Sequence, residues 1–116
     1  MIHFIHRGKG GRYSQYIDAT LKKINRLREI DFSSKHPVRP GYKMAVNHTG
    51  SALTVDMLKA FLARDEVTFL LGDSKGMPEE WLADADIVCS VTTLPVSHEM
   101  EAAIMSDQIE KIILKI

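Results

Sequence analysis

The chain is poor in the residues that staple, anchor or metallate a protein. Its 116 residues include one cysteine, Cys89, so an internal disulfide is excluded and a cytoplasmic location is expected. No apolar run approaches the ~20 residues needed to cross a bilayer. The opening Met1-Ile2-His3-Phe4-Ile5-His6 has neither a basic leader nor a cleavage site, and reads as a first strand rather than a signal peptide. Neither H-x-x-x-H nor C-x-x-C spacing occurs among the five histidines and the lone cysteine. His3 and His6 lie an odd number apart on a strand and so face opposite sides; no metal is expected. A Gly-x-Ser-x-Gly elbow is also missing, and Cys89 lies in an apolar run without a basic neighbour, as a small buried hydrophobe would.

Net charge is missing as well, at zero, but the sum hides an asymmetry. Residues 1–48 carry ten Lys/Arg against three Asp/Glu, and residues 49–116 carry five against twelve. Two readings stay open: a basic half that meets a polyanion such as RNA, or two halves that attract each other within a monomer or across a dimer.

What is present is an alternation of short apolar runs and amphipathic stretches, in a length that suits one domain over residues 1–116. Strands are predicted at 2–6, 43–48, 67–71 and 87–91, with a further short one at the start of the loop 32–42. Helices are predicted at 13–28, where Tyr13, Tyr16, Ile17, Leu21, Ile24 and Leu27 share a face, and at 55–64 behind a Thr54 cap. A short helix follows Pro78 through Ala83, with Trp81 as a packing residue, and a last helix spans 97–115. Residues 8–11 and Gly50-Ser51 read as turns. Strand–helix alternation predicts an α/β fold with a mostly parallel sheet and helices on both faces.

In such sheets ligands bind beyond the carboxyl ends of the strands, here residues 8–12, 47–54, 72–77 and 92–97. Neither glycine turn is a nucleotide fingerprint. Tyr13 stands where G-x-G-x-x-G needs its third glycine, and Gly72-Asp73-Ser74-Lys75-Gly76 lacks the G-K-[ST] ending of a P-loop.

The order of the last motifs is the informative feature. FLLGDSKGM (69–77) precedes a short helix, then SVTTLP (90–95), then HEMEAAIMSDQIEKI (98–112). This resembles the SPOUT superfamily, and within it the ribosomal large-subunit pseudouridine methyltransferase family, RlmH, with its I-G-G-x-x-G, T-[LF]-P and H-x-M-x-R-x-x-x-x-E-Q-x-Y-R-A segments. Upstream, VNHTG (46–50) is similar to the family's L-[DE]-x-x-G, and GKGGRYSQYIDATLKKI (8–24) to its opening turn and helix.

The resemblance implies a C-terminal trefoil knot that holds S-adenosylmethionine (SAM). By carry-over, Val46 touches the adenosine side, and Gly72, Asp73 and Gly76 form the loop against which the cofactor's backbone contacts are made. Ser90, Val91, Thr92, Thr93, Leu94 and Pro95 offer main chain to the adenine, between apolar walls from Leu71, Met77 and Leu94. The implied reaction is methyl transfer to a (pseudo)uridine of ribosomal RNA by a homodimer paired through the last helix, with His98 the one candidate for a base. Lys9, Arg12, Lys22, Lys23, Arg26 and Arg39 are candidate phosphate contacts. Departures from the family pattern are Asp73 for its second glycine, Val96-Ser97 inserted after Pro95, Ala102 for its arginine and Glu110-Lys111 for Tyr-Arg. The loop 32–42 is shorter, and the family continues beyond the position of Ile116 into a tail. A non-catalytic knotted homodimer that binds RNA or a protein partner is the alternative.

Overall fold

The computed structural model describes residues 1–37 and 39–115. Five strands form one sheet in the order β2-β1-β4-β3-β5: β1 (Ile2–His6), β2 (Ile30–Ser33), β3 (Tyr42–Ala52), β4 (Val67–Leu71) and β5 (Ile87–Ser90). Each of the four strand pairings is parallel. The helices are α1 (Ser14–Asn25), α2 (Val55–Leu62), α3 (Glu79–Asp84) and α4 (His98–Leu114).

Alternation along the strands sorts side chains to two faces. Ile2, Phe4, Met44, Val46, Val67, Phe69 and Leu71 pack into one cluster with α1, α2 and α4. Ile5, Ala45 and Leu70 pack on the other face around Trp81 of α3. Residues 34–37 and 39–41 lie on this second face: His36 packs on Trp81 at 5.2 Å, and Thr68 Oγ1 donates to Pro40 O at 3.3 Å. Chain moves toward the β2 edge (through α1 and α2) thus cross the first face. Moves toward the β5 edge (through the described residues between β2 and β3, and through α3) cross the second. All four crossovers therefore share one hand, as parallel connections do.

Three expectations are corrected. The first helix ends at Asn25 rather than 28 and leaves Leu27 60% exposed, because Arg28 turns away so that its guanidinium donates to Leu62 O at the end of α2. The helix expected at 55–64 ends at Leu62. Gly50-Ser51 is not a free turn but part of β3. Val46 and Ser51 both pair with Cys89, so residues 47–50 bulge out and return to the β5 edge. A Cβ on Gly50 would stand 2.4 Å from Val88 O, so glycine is what lets the chain come back so closely.

Candidate functional site

The connections leaving β1 and β3 take the first face, and the one leaving β4, between them, takes the second. The carboxyl end of β4 is therefore flanked by topological switch points on both sides, where open α/β sheets leave a crevice. The loop 72–77 occupies that place. Asp73 and Gly76 close it by exchanging backbone bonds at 3.3 and 2.9 Å, and Gly76 takes φ of +103°, a conformation that favours glycine. A Cβ on Gly72 would stand 2.7 Å from Gly76 O, so both glycines are required by the turn itself.

The β1 side is joined to this loop by charge. Arg7 Nε donates to Asp73 Oδ2 at 3.2 Å, and the Lys75 amide donates to Asp73 Oδ1 at 2.9 Å. Burial works to raise the Asp73 carboxyl, but the Lys75 N–H and Arg7 outweigh it and hold the group below the usual carboxylate range. The acid that replaces a glycine of the resembled motif is thus already matched by a cation.

Ser97 caps α4 by accepting from the Met100 amide at 3.1 Å, and the first turn of that helix draws the remaining segments together. Glu99 Oε2 accepts from the Arg12 amide at 2.8 Å, which ties down the loop after β1. His98 Nε2 lies 3.8 Å from where a Cβ on Gly76 would be, which places it beside the loop after β4. The His98 and His48 rings are edge to face at 6.2 Å, which adds the bulge of β3. The loop after β5 runs directly into His98. All four strand-end segments named from the sequence meet around this one turn.

Three residues of this cluster were not singled out by sequence reasoning. His6, at the end of β1, is 2% exposed, and neither ring nitrogen has a partner among the described residues. Burial lowers its pKa, against the pull of Glu99 and Asp73. His48 was missed because its segment read as a strand running into a turn. Glu101, 3% exposed, has its Oε1 2.8 Å from His98 Nδ1, and burial pushes its carboxyl up to about 7. A glutamate at a core-facing position one turn into an apolar helix was the available signal.

The other named residues fall as follows. Val46 and Leu71 are adjacent in register and wholly buried, forming a floor below the loops. Met77 packs on the second face near Trp81, and Val91 against the main core. Ser90 Oγ donates to Thr92 O at 2.7 Å, and the Leu94 amide donates to Thr92 Oγ1 at 3.1 Å. Thr93, Leu94 and Pro95 are exposed, Leu94 by 71%. A flat heteroaromatic ring would find main chain and an uncovered apolar side chain there, and an open cradle before Gly76, so these residues fit a nucleoside-bearing cofactor.

The basic residues do not form one patch. Lys9 and Arg12 rim the carboxyl end, with Lys9 Nζ 4.5 Å above the Phe32 ring. Lys22, Lys23 and Arg26 lie at the far end of α1, roughly 15–20 Å further on at 1.5 Å per residue. Arg39 is held on the second face by Asp31 at 3.4 Å and Pro37 O at 3.3 Å.

The chain matches no family model. Over 106 residues it is 28% identical to a protein of Solibacter usitatus (strain Ellin6076) named ribosomal RNA large subunit methyltransferase H, covering 87% of this chain and 72% of that one. A protein of the same name from Campylobacter jejuni (serotype O:23/36, strain 81-176) is 27% identical over 116 residues, covering 84% and 78%. The chain is similar to ribosomal RNA large subunit methyltransferase H. The resemblance read from the motifs between residues 8 and 112 is therefore borne out along most of the chain. Against that methyltransferase pattern, the position of the missing arginine, Ala102, is wholly buried in the core. Among the described residues no three His, Cys, Asp or Glu side chains gather as a metal site, and no helix is long and apolar enough to cross a membrane.

Proposed function

We propose that this protein is a SAM-dependent methyltransferase acting on a uridine or pseudouridine base of ribosomal RNA, cytoplasmic and homodimeric, with its last segment threaded as a trefoil knot. The observation that carries this reading is the convergence of all four strand-end segments on the first turn of α4, around a two-glycine loop at the sheet's switch points. The threading is supported by placement. β5 is an edge strand, yet α4 lies beside α1, with Tyr16 Oη donating to Asp107 at 3.0 Å. Residues 91–97 must pass the ends of β3 and β4 to reach it.

The bound sulfonium supplies an electrophilic methyl carbon and a good leaving group. The chain's own task is alignment. Residues 72–76 and 90–95 hold the cofactor through main chain, Val46 and Leu71 floor the site, and the Arg7–Asp73 pair keeps the loop closed. Lys9 and Arg12 stand at the rim, where a phosphate backbone would pass. Dimerisation is supported by the flank of α4 turned away from α1. Ile104, Met105 and Ile112 line a cavity of about 300 Å³ with Leu53, Val55 and Val91, an apolar recess suited to a second copy's helix.

Ala102 favours a second reading, a non-catalytic knotted dimer that binds RNA or a protein. Calorimetric titration with SAM and S-adenosylhomocysteine separates the two. Micromolar binding that is lost in Leu94→Asp is expected; no heat at high micromolar cofactor favours the non-catalytic dimer.

A further inference from the structure

Resting on the reading of an RNA substrate, we infer that the Gly8–Arg12 loop binds a backbone phosphate of that RNA, and that Glu99 fills this site in the free protein. Glu99 Oε2 accepts from the Arg12 amide at 2.8 Å, and Gly11 packs so closely that a Cβ there would stand 2.9 Å from the same oxygen. The carboxylate makes no ion pair among the described residues; a main-chain N–H and the absence of a side chain hold it in place.

The local charge explains why an anion belongs there. Helix α1 starts directly after the loop, yet Tyr13 at its cap makes no side-chain bond and its first turn holds no acid. The positive end of that helix is therefore unmatched by its own residues, and such ends attract anions. Lys9 and Arg12 stand exposed on the loop and add two full charges. Gly10, at the apex, takes φ of +90° with nothing within 4 Å of where a Cβ would be, so the outer side of the loop is open. A phosphodiester offers two charged oxygens to the same N–H, and a chain of them engages Lys9 and Arg12 together, which Glu99 does not.

An independent observation beneath the loop points the same way. His6, almost wholly buried, has neither ring nitrogen bonded among the described residues, and its Nε2 lies under Gly8, where a Cβ would stand at 2.9 Å. Glu99 of α4 and Asp73 of the loop after β4 both act on that ring, and Arg7 pairs with Asp73 at 3.2 Å. The closed loop thus keeps a polar group from any partner, which disfavours closure, and the Glu99 and Arg7 contacts offset that cost. A phosphate that displaces Glu99 removes one of the two latches. Binding at the rim thereby loosens the roof over His6, which lies in register with Leu71 and Val46 of the cofactor floor.

The test uses the whole protein and a short single-stranded fragment of bacterial ribosomal RNA. Deuterium exchange at the histidine C2 positions, read by mass spectrometry on the plateau of each pH profile, should be at least about threefold faster for His6 in Glu99→Ala than in wild type, with His3 unchanged. Filter binding should show RNA affinity raised about two- to fivefold in Glu99→Gln, which keeps an acceptor for the Arg12 amide but not the charge. In wild type the RNA should move the Arg12 amide resonance, and inorganic phosphate should do so only in large excess. If Glu99 serves only to tie α1 to α4, Glu99→Gln leaves RNA affinity unchanged and Glu99→Ala leaves His6 exchange unchanged; either result overturns the site. Phosphate that acts as well as RNA overturns the RNA assignment. An Arg12 amide moved by SAM alone does so too, because the anion is then the cofactor's carboxylate. Calorimetry against SAM on the same samples keeps the two readings apart: no binding overturns the methyltransferase reading, while the loop readouts still decide the phosphate site.

Discussion

Two histidines three residues apart on β1 live in opposite circumstances. His3, near the amino end of the sheet, has both ring nitrogens engaged, Nδ1 with Asp31 at 3.3 Å and Nε2 with Glu66 at 2.9 Å. His6, at the carboxyl end, is more deeply buried, and among the described residues neither of its nitrogens is engaged. The surroundings follow the same division. Near His3, Arg39 backs Asp31 and Arg64 lies 4.0 Å over the Tyr42 ring. Near His6 are a positive-φ glycine turn, a bulged strand, and the His98–Glu101 contact that lacks hydrogen-bond geometry. A buried polar group without a partner costs roughly 1–3 kcal/mol. The amino end is thus built to close the sheet, and the carboxyl end keeps polar groups in reserve for something that arrives.

The sharpest way to break that comparison is at Gly76. Valine there would meet φ of +103° and fill the cradle before His98. Gly76→Val should lower SAM affinity by more than about 100-fold, while the backbone strain costs only ~1–3 kcal/mol of stability. Calorimetry and thermal unfolding on the same sample read both. Retained affinity would remove the loop after β4 from the site.

The next largest effect is in pH. Glu101 is raised from 4.5 to about 7, so the folded chain holds a proton that the unfolded chain releases between those values. Stability should fall as pH rises through that window, by about 3 kcal/mol in all, and the loss is complete above the folded value. His98 works in the other direction, because its pKa is lowered and its neutral form favours the fold as pH rises. The difference between wild type and Glu101→Leu isolates the carboxylate. A constant difference from pH 4 to 8 would mean that Glu101 is solvated.

A matched pair of substitutions then measures the two ends directly. His3→Leu should lower stability slightly, because it removes the partner that two partly solvated carboxylates share. His6→Leu should leave stability unchanged or raise it by up to about 1 kcal/mol, because an unpartnered imidazole is replaced by a hydrocarbon of similar size. The same change should weaken SAM binding. Equal losses at both positions in chemical denaturation would show that His6 is satisfied after all and that the ends do not differ.

How much of this was legible in the sequence depended on whether a signal was local. Val67-Thr68-Phe69-Leu70-Leu71 reads as a buried strand because it is apolar throughout, and the structure buries all five. The Thr54 cap and the start of α2 were legible for the same reason, since a cap is satisfied three residues away. The β3 bulge was not, because Gly50 is fixed by the Val88 carbonyl, 38 positions on. The candidate site divides likewise. Gly72, Gly76 and the segment 90–95 follow from motif order, whereas the neighbours that give His98 its setting come from other elements or the hidden side of its own helix. His48 reaches it from another strand, and Glu101 was visible only as an acid on an apolar stripe. The charge asymmetry carried no geometry: it could not say that Lys9 and Lys22 lie at different ends of the molecule.

That separation sets the smallest effect and the finest test. Lys22 and Lys23 are exposed in the last turns of α1, toward the end of the sheet that His3 closes, and Lys23 Nζ is 4.0 Å from Glu110. If RNA extends along α1 from the rim at Lys9 and Arg12, changing both lysines to glutamate should weaken binding a few-fold. It should also flatten the slope of log affinity against log salt by about 1.4, the value for two contacts to a single strand. Lys23→Glu would also face Glu110, so Lys22→Glu alone serves as the control, with a slope change of about 0.7. Nitrocellulose-filter binding to ribosomal RNA fragments between 50 and 300 mM salt resolves such differences. A slope untouched by both variants, but flattened by Arg12→Glu, would confine the RNA to the end of the sheet where His6 lies. The amino end would then be left with a purely structural part.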